Sequence, residues 1–186
     1  MDQITGLPAH PLLVHIPVAL LPLAALGVIV LLARKAWYER YRWAVLIVAG
    51  IGTFGAILAA SSGESLESQM RAQDGVDAVR AVHEHAEAGD LARTLAIVFF
   101  VVLAAYVVLP WFVDRRNAGT TGSNVESGAD EAGTSKRTVP SWVQPTLMVA
   151  VALTAVASMV SIVNAGHSGA RRAWEQYDTS TQALGD

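Results

Sequence analysis

Four long apolar runs constrain this chain more than any other feature of its sequence. A helix rises about 1.5 Å per residue, so about 20 apolar residues are needed to cross the roughly 30 Å hydrocarbon core of a bilayer. Hydrophobic residues make up 53% of the chain and charged residues only 16%, which is unusual for a soluble domain. The sequence therefore predicts an all-α fold, a bundle of four transmembrane helices at about 12–33, 43–60, 91–112 and 143–165.

The remaining residues form loops and a tail around these spans. We expect residues 1–175 to form one four-span membrane domain and residues 176–186 a polar tail. Apolar residues at helical spacing over 76–91 predict a helix leading into the third span. Residues 117–138 are rich in Gly, Ser, Thr and acidic residues without periodicity, which predicts a flexible loop. After the fourth span, Gly166 to Asp186 could form a short interfacial helix.

Lysine and arginine are distributed unequally between the two sides of the predicted bundle. Eight fall in the loops after spans one and three and five on the other side, so the positive-inside rule predicts both termini outside. The first nine residues lack a basic segment, and we expect the first run to be a retained helix rather than a secretory signal. The expected location is a bacterial cytoplasmic (inner) membrane, with these cations inside: Arg34, Lys35, Arg40, Arg42, Arg115, Arg116, Lys136 and Arg137.

Composition also excludes several classes of function. The net charge of −3 argues against nucleic-acid binding, which normally needs a concentrated basic face. The absence of cysteine excludes disulfides, thiolate metal sites, iron–sulfur clusters and covalently attached haem. No nucleophile elbow or oxyanion glycine pattern indicates a hydrolase. A transporter is disfavoured because few polar residues fall in the spans; the main ones are Thr53, Thr154, Ser158 and Ser161.

The five histidines all fall on the predicted outer side. They come from three separate stretches of the chain, and neutral imidazole is a good ligand for haem iron, zinc and copper. We therefore predict an integral membrane protein that binds haem b, or alternatively copper or zinc, in electron transfer or redox sensing. The histidines are His10, His15, His83, His85 and His167.

His15 and His85 are the preferred axial ligands. His15 lies inside an apolar run, where ionisable side chains usually face the protein interior and have a function. His83 and His85 are two residues apart, about 200° around a helix, so at most one should face the bundle. Gly89, four residues after His85, would allow close packing and favours His85, with His83 as its substitute.

Other polar residues complete the predicted site. His10 and His167 are expected to form a second ligand pair or to support the first one. Arg93 and Arg171, with Arg172, lie on the correct side to neutralise haem propionates. Glu64 could hydrogen-bond a ligating histidine, or it could be an ordinary solvated residue.

A structural role is the alternative hypothesis. The protein would then be a non-catalytic membrane scaffold or assembly partner, whose histidines cap helix ends and bind backbone carbonyls freed by Pro17 and Pro22. Its expected partners are the lipid bilayer and either a redox protein or further copies of the chain.

The opening of the first span resembles that of a known family. His-Pro-Leu-Leu-Val-His-Ile-Pro-Val-Ala-Leu-Leu at 10–21 is similar to the opening motif of a bacterial family of four-helix membrane proteins, domain of unknown function 2231. Further similarities are Ser62-Gly63-Glu64, a histidine before span three and the glycine-rich stretch at 166–170. The resemblance implies four spans and, by analogy with related domains found beside cytochrome-like modules, haem or electron transfer. The longer loop at 117–138 and the second histidine before span three depart from the family pattern.

Overall fold

Four helices account for nearly all of the described chain. The computed structural model describes the backbone of residues 3–4, 7–73, 75–122 and 140–183, and the side chains of residues 12–64, 86–117, 140–167 and 170. Two short strands, β1 (Gln3–Ile4) and β2 (Leu7–Pro8), pair antiparallel at the start. The helices are α1 (Ala9–Ala33), α2 (Lys35–Gln73), α3 (Gly75–Gly122) and α4 (Val143–Ala183).

Each helix contains one segment that is long and apolar enough to cross a membrane. This confirms the predicted all-α bundle of four transmembrane helices. The segments contain the predicted spans, and the second to fourth segments also include flanking polar residues that are helical. The four segments are Leu12–Ala33, Lys35–Glu64, Ala86–Asn117 and Val143–His167.

The helices pack in a ring in which α1 contacts α2, α2 contacts α3, α3 contacts α4, and α4 returns to α1. The core between them is filled by apolar side chains from all four helices, and Leu21, Phe99 and Val151 are fully buried within it. Lipid tails are as apolar as these side chains, so close packing rather than the hydrophobic effect holds such a core together.

Small residues allow α2 to approach two neighbours closely. A methyl group added to Gly55 would lie 2.5 Å from Ile16 Cγ2, and one added to Gly52 would lie 3.0 Å from Leu21 Cγ; both contacts are with α1. A methyl group at Gly50 would instead lie 3.2 Å from the Phe100 ring on α3. Glycine is needed here for closeness of approach, as is common where membrane helices meet.

The connections between helices differ from the predicted ones. Arg34 alone separates α1 from α2, where a loop of about nine residues was expected, and its carbonyl accepts the Trp37 backbone N–H at 2.9 Å. Helix also covers residues 61–73, 117–122 and 166–183, because an established helix extends at little cost per added residue. The predicted helix over 76–91 is confirmed as the start of α3, and the rest of the predicted flexible loop lies outside the described residues.

Candidate functional site

The ring of antiparallel helices has two chemically different ends. The histidine end carries the start of α1, the α2–α3 connection and the last part of α4. The basic end carries the α1–α2 connection, the end of α3 and the start of α4. The backbone of every histidine belongs to the histidine end, as the sequence predicts.

Contacts between helices fix the relative heights of residues at this end. Gly55 on α2 faces Ile16 and Pro17 on α1, so His15 is level with about residue 57. The Thr53 hydroxyl donates to the Ala96 carbonyl at 3.3 Å across α2 and α3. The two helices are antiparallel, so a shift of four residues toward the histidine end leads from Thr53 to residue 57 on α2 and from Ala96 to residue 92 on α3. Residue 57 is therefore level with about residue 92.

These heights separate His15 from the other histidines. His85 lies seven residues before residue 92 on α3. It is therefore about 10 Å further toward the histidine end than His15, at about 1.5 Å per residue. His10, five residues before His15 on α1, is within about one turn of the level of His85. The Gln144 side chain on α4 interacts with the Tyr106 hydroxyl on α3. A shift of 23 residues from this contact toward the histidine end leads to His167 on α4 and residue 83 on α3. His167 is therefore within one turn of the level of His85.

His15 does not occupy the buried position expected of it. Its side chain is exposed, as is that of His167. Ile16 and Pro17 turn toward Gly55 of α2, and successive helical residues are about 100° apart, so the preceding side chain is directed away from that contact. The prediction that His15 is buried is therefore wrong.

The choice between His83 and His85 also loses its support. A methyl group at Gly89 would have no neighbour within 4 Å, so the expected close packing at this glycine is not found. The side chains of His10, His83, His85 and Arg171 lie outside the described set, and their proposed roles stay predictions. Among the side chains that are described, no three His, Asp or Glu residues form a group that could hold a metal ion.

Arg93 is engaged by carboxylates at the histidine end. Its guanidinium donates to Glu64 on α2 at 3.2 Å and pairs with Asp90, one turn earlier on α3, at 3.2 Å. Glu64 therefore pairs with an arginine and is at the same time a solvated residue, since its side chain is 62% exposed. The Arg93 side chain is 31% exposed, so the pair joins α2 to α3 at a partly wet surface.

A tyrosine at the basic end compensates for a proline inside α3. Pro110 has no N–H to donate to the carbonyl four residues earlier, that of Tyr106. The Tyr38 hydroxyl on α2 donates to this carbonyl at 3.3 Å, and the two tyrosine rings meet edge-to-face at 5.4 Å. The sequence pattern did not predict this link, although a tyrosine at the start of the neighbouring helix is a signal from which it could be found.

A cluster of arginine and tryptophan also joins α2 to α3 at the basic end. The Trp43 and Trp111 rings meet edge-to-face at 5.7 Å. The Arg42 guanidinium lies 6.0 Å from the Trp43 ring and the Arg115 guanidinium 5.2 Å from the Trp111 ring. We call these four residues the Arg–Trp cluster. The cavity beside Arg42 and Tyr38 has a volume of about 10 Å³, about the room that one water needs, so it does not hold a larger ligand.

Three hydroxyl side chains are buried in the middle of the bundle: Thr53, Ser158 and Ser161. Ser161 donates to the Ser158 carbonyl at 2.8 Å. The Ser158 hydroxyl is buried without a hydrogen-bond partner among the described residues. The expectation that the protein is not a transporter stays a prediction.

Comparison with known proteins adds the family. A family model described as "Predicted membrane protein (DUF2231)" matches residues 6–181. The chain belongs to this family. The match includes the four apolar segments and all five histidines, so both ends of the bundle fall within the DUF2231 region. No curated protein and no solved structure matches the chain.

Proposed function

We propose that this DUF2231 protein binds haem b, or alternatively a copper or zinc ion, at the histidine end and acts in electron transfer or redox sensing. The observation that carries the proposal is the shared height of His10, His85 and His167 on three different helices. Two imidazoles that ligate one haem iron must approach to within about 4 Å across the metal, which residues at a common level can do far more easily than residues 10 Å apart.

The heights change the preferred ligands. His10 replaces His15 as the favoured partner of His85, with His167 as the third candidate and His83 as the substitute for His85. These residues bracket the apolar runs, since His10 precedes the apolar run that starts at Leu12, His85 lies among Glu84, Glu87 and Asp90, and His167 follows the fourth apolar run. The site would therefore lie at the membrane surface, where a haem would supply one-electron chemistry and the chain would supply ligands and orientation.

An absorption spectrum tests this proposal. Reduced-minus-oxidised spectra of the purified full chain, with elemental analysis for iron, copper and zinc, should show a Soret band or a stoichiometric metal. His10→Ala and His85→Ala should abolish the signal, whereas the matched variant His15→Ala should retain it. The absence of both a Soret band and a stoichiometric metal would overturn the proposal, and loss of signal only in His15→Ala would overturn the ligand assignment.

The engagement of Arg93 favours a second candidate, a membrane scaffold or assembly partner. Glu64 and Asp90 already neutralise this arginine, which reduces its capacity to pair with haem propionates. Under this hypothesis His10→Ala lowers the stability of the protein, while its spectrum and metal content equal those of the wild type.

Orientation is part of the proposal. Both termini would lie outside the cytoplasm of a bacterial inner membrane, supported by the excess of basic residues at the opposite end. Alkaline phosphatase fused after residue 186 should be active, and a fusion within residues 123–139 should be inactive. The reverse pattern would place the histidine end in the cytoplasm.

A further inference from the structure

The basic end presents more positive charge than its own carboxylates can neutralise. Among the described residues, this end has six cations against two carboxylates, Glu39 and Asp114. Several of the arginines lie against aromatic rings, as Arg34 does on Trp37 and Arg116 on Phe112. Such a surface attracts anions. The six cations are Arg34, Lys35, Arg40, Arg42, Arg115 and Arg116.

The Arg–Trp cluster brings two of these cations to the same contact between α2 and α3. Arg42 and Arg115 come from different helices, yet each guanidinium lies near one ring of the same contacting pair of indoles. The Arg42 guanidinium is also 5.5 Å from the Tyr38 ring and hydrogen-bonds to the Tyr38 side chain. The rings hold the guanidiniums without using their N–H donors, because the attraction is to the face of the aromatic ring. Arg115 therefore keeps its donors within the described chain, whereas Arg42 shares its own with Glu39 and Tyr38.

The partners of the two arginines differ from those of Arg93. Arg42 has a side chain that is only 17% exposed, and its one carboxylate contact is Glu39 at 3.0 Å, through Nη1. Its Nε is buried without a hydrogen-bond partner among the described residues. Arg115 is exposed and has no carboxylate contact within the described part of the chain.

We propose that the Arg–Trp cluster binds the phosphate of an anionic phospholipid. Guanidinium groups bind phosphate through paired hydrogen bonds, and tryptophan rings concentrate at the headgroup level of a bilayer. Exposed apolar side chains continue from the cluster along the same two helices, for example Ile47 on α2 and Leu109 on α3. This continuity provides a surface for acyl chains, which a soluble phosphate would not use.

Native mass spectrometry of the full chain released from detergent micelles tests the proposal. The probes are phosphatidylglycerol, phosphatidylcholine with the same acyl chains, and inorganic phosphate. The wild type should retain phosphatidylglycerol in preference to phosphatidylcholine. Arg115→Gln and Arg42→Gln should each weaken retention about tenfold, the effect of losing hydrogen bonds to a charged group.

Arg40→Gln is the matched control. Arg40 lies on Tyr41 at the same end and has the same charge, but it does not contact the tryptophan pair. This variant should retain phosphatidylglycerol as the wild type does. Circular dichroism identifies any variant that fails to fold, and the conclusion then depends on exposed Arg115.

Four results would overturn the proposal. Equal retention of the two phospholipids would remove the requirement for an anionic headgroup. Equal losses in Arg40→Gln and Arg115→Gln would indicate diffuse attraction without a site. Displacement of the lipid by millimolar inorganic phosphate would indicate a site for soluble phosphate. Lipid retention only after Glu126, Asp130 and Glu131 are neutralised would indicate that the chain's own acidic segment occupies the cluster.

Discussion

The histidine end and the basic end use the same residue type in opposite ways. At the histidine end Arg93 is paired with Glu64 and Asp90, each at 3.2 Å. At the basic end Arg42 and Arg115 lie on indole rings, and their donors are only partly used within the described chain. Arginine paired with carboxylates joins helices to each other, whereas arginine held on aromatic rings keeps hydrogen-bonding capacity for a partner outside the protein.

The largest effect is expected at the contact between α1 and α2, where the glycines near the two ends differ in how closely their neighbours approach. Gly55→Ala would place a methyl group 2.5 Å from Ile16 Cγ2 near the histidine end, and Gly27→Ala would place one 3.1 Å from Val45 Cγ2 near the basic end. We expect Gly55→Ala to lower the free energy of unfolding by about 1–3 kcal/mol, as overpacking does, and Gly27→Ala to cost less. Unfolding by SDS in mixed micelles, followed by circular dichroism, measures both.

Gly89→Ala is the control for this pair, since an added methyl group there has no neighbour within 4 Å. It should leave the free energy of unfolding unchanged or raise it, because alanine has the higher helix propensity. Equal costs for Gly55→Ala and Gly27→Ala would show that the two halves of the α1–α2 contact are packed equally closely.

The tyrosine at the basic end gives the next largest effect. Tyr38→Phe leaves the Tyr106 carbonyl without its hydrogen bond, and we expect a loss of about 1–2 kcal/mol in the free energy of unfolding, the value found for such bonds in model peptides. Pro110→Ala restores an N–H within α3 that can bind the same carbonyl. Tyr38→Phe should therefore cost less in the Pro110→Ala background, and a cost independent of residue 110 would contradict the compensation.

Much of the fold could be predicted from the sequence, because hydropathy and length determine which segments span a bilayer. The helical start of α3 followed from the spacing of Val76, Val79 and Val82. The extension of α2 to Gln73 did not, because residues 61–73 are polar and carry no comparable apolar pattern. The helix continues there from a turn already formed in the apolar segment.

The candidate site was less predictable, since a sequence gives neither the rotation nor the height of one helix against another. His15 lies in an apolar run, but the contact of Ile16 and Pro17 with Gly55 decides which way its side chain points. The same contact, together with the one between Thr53 and Ala96, places His15 about 10 Å deeper along the bundle axis than His85. Histidines could be assigned to one end of the bundle from topology alone, whereas choosing His10 over His15 required the contacts.

The ion pair at the histidine end should have a smaller effect than the tyrosine. Glu64→Gln removes the carboxylate that joins Arg93 to α2, and because Glu64 is 62% exposed we expect a loss of only about 0.2–1 kcal/mol, as for other exposed pairs. The loss should shrink at high salt.

Glu39→Gln is the matched change at the basic end, where the pair with Arg42 lies within one helix. It should cost about 0.3–0.5 kcal/mol or less, and it should leave Arg42 with more donors for a phosphate. If Glu39→Gln weakened the retention of phosphatidylglycerol, Glu39 would be needed to position Arg42 and would not be competing with the lipid.

Between the two ends, two buried hydroxyls differ in whether they have a hydrogen-bond partner among the described residues. Thr53→Val keeps the shape of the side chain but removes its hydrogen bond to the Ala96 carbonyl; we expect a loss of about 0.6 kcal/mol in the free energy of unfolding, the average for such bonds in a membrane protein. Ser158→Ala removes a buried hydroxyl that has no partner among the described residues, so it should leave the free energy of unfolding unchanged or raise it. SDS unfolding of both variants separates the two cases. A clear loss of stability in Ser158→Ala would mean that this hydroxyl has a hydrogen-bond partner in the membrane, such as a buried water. The middle of the bundle would then be more polar than its described contacts indicate.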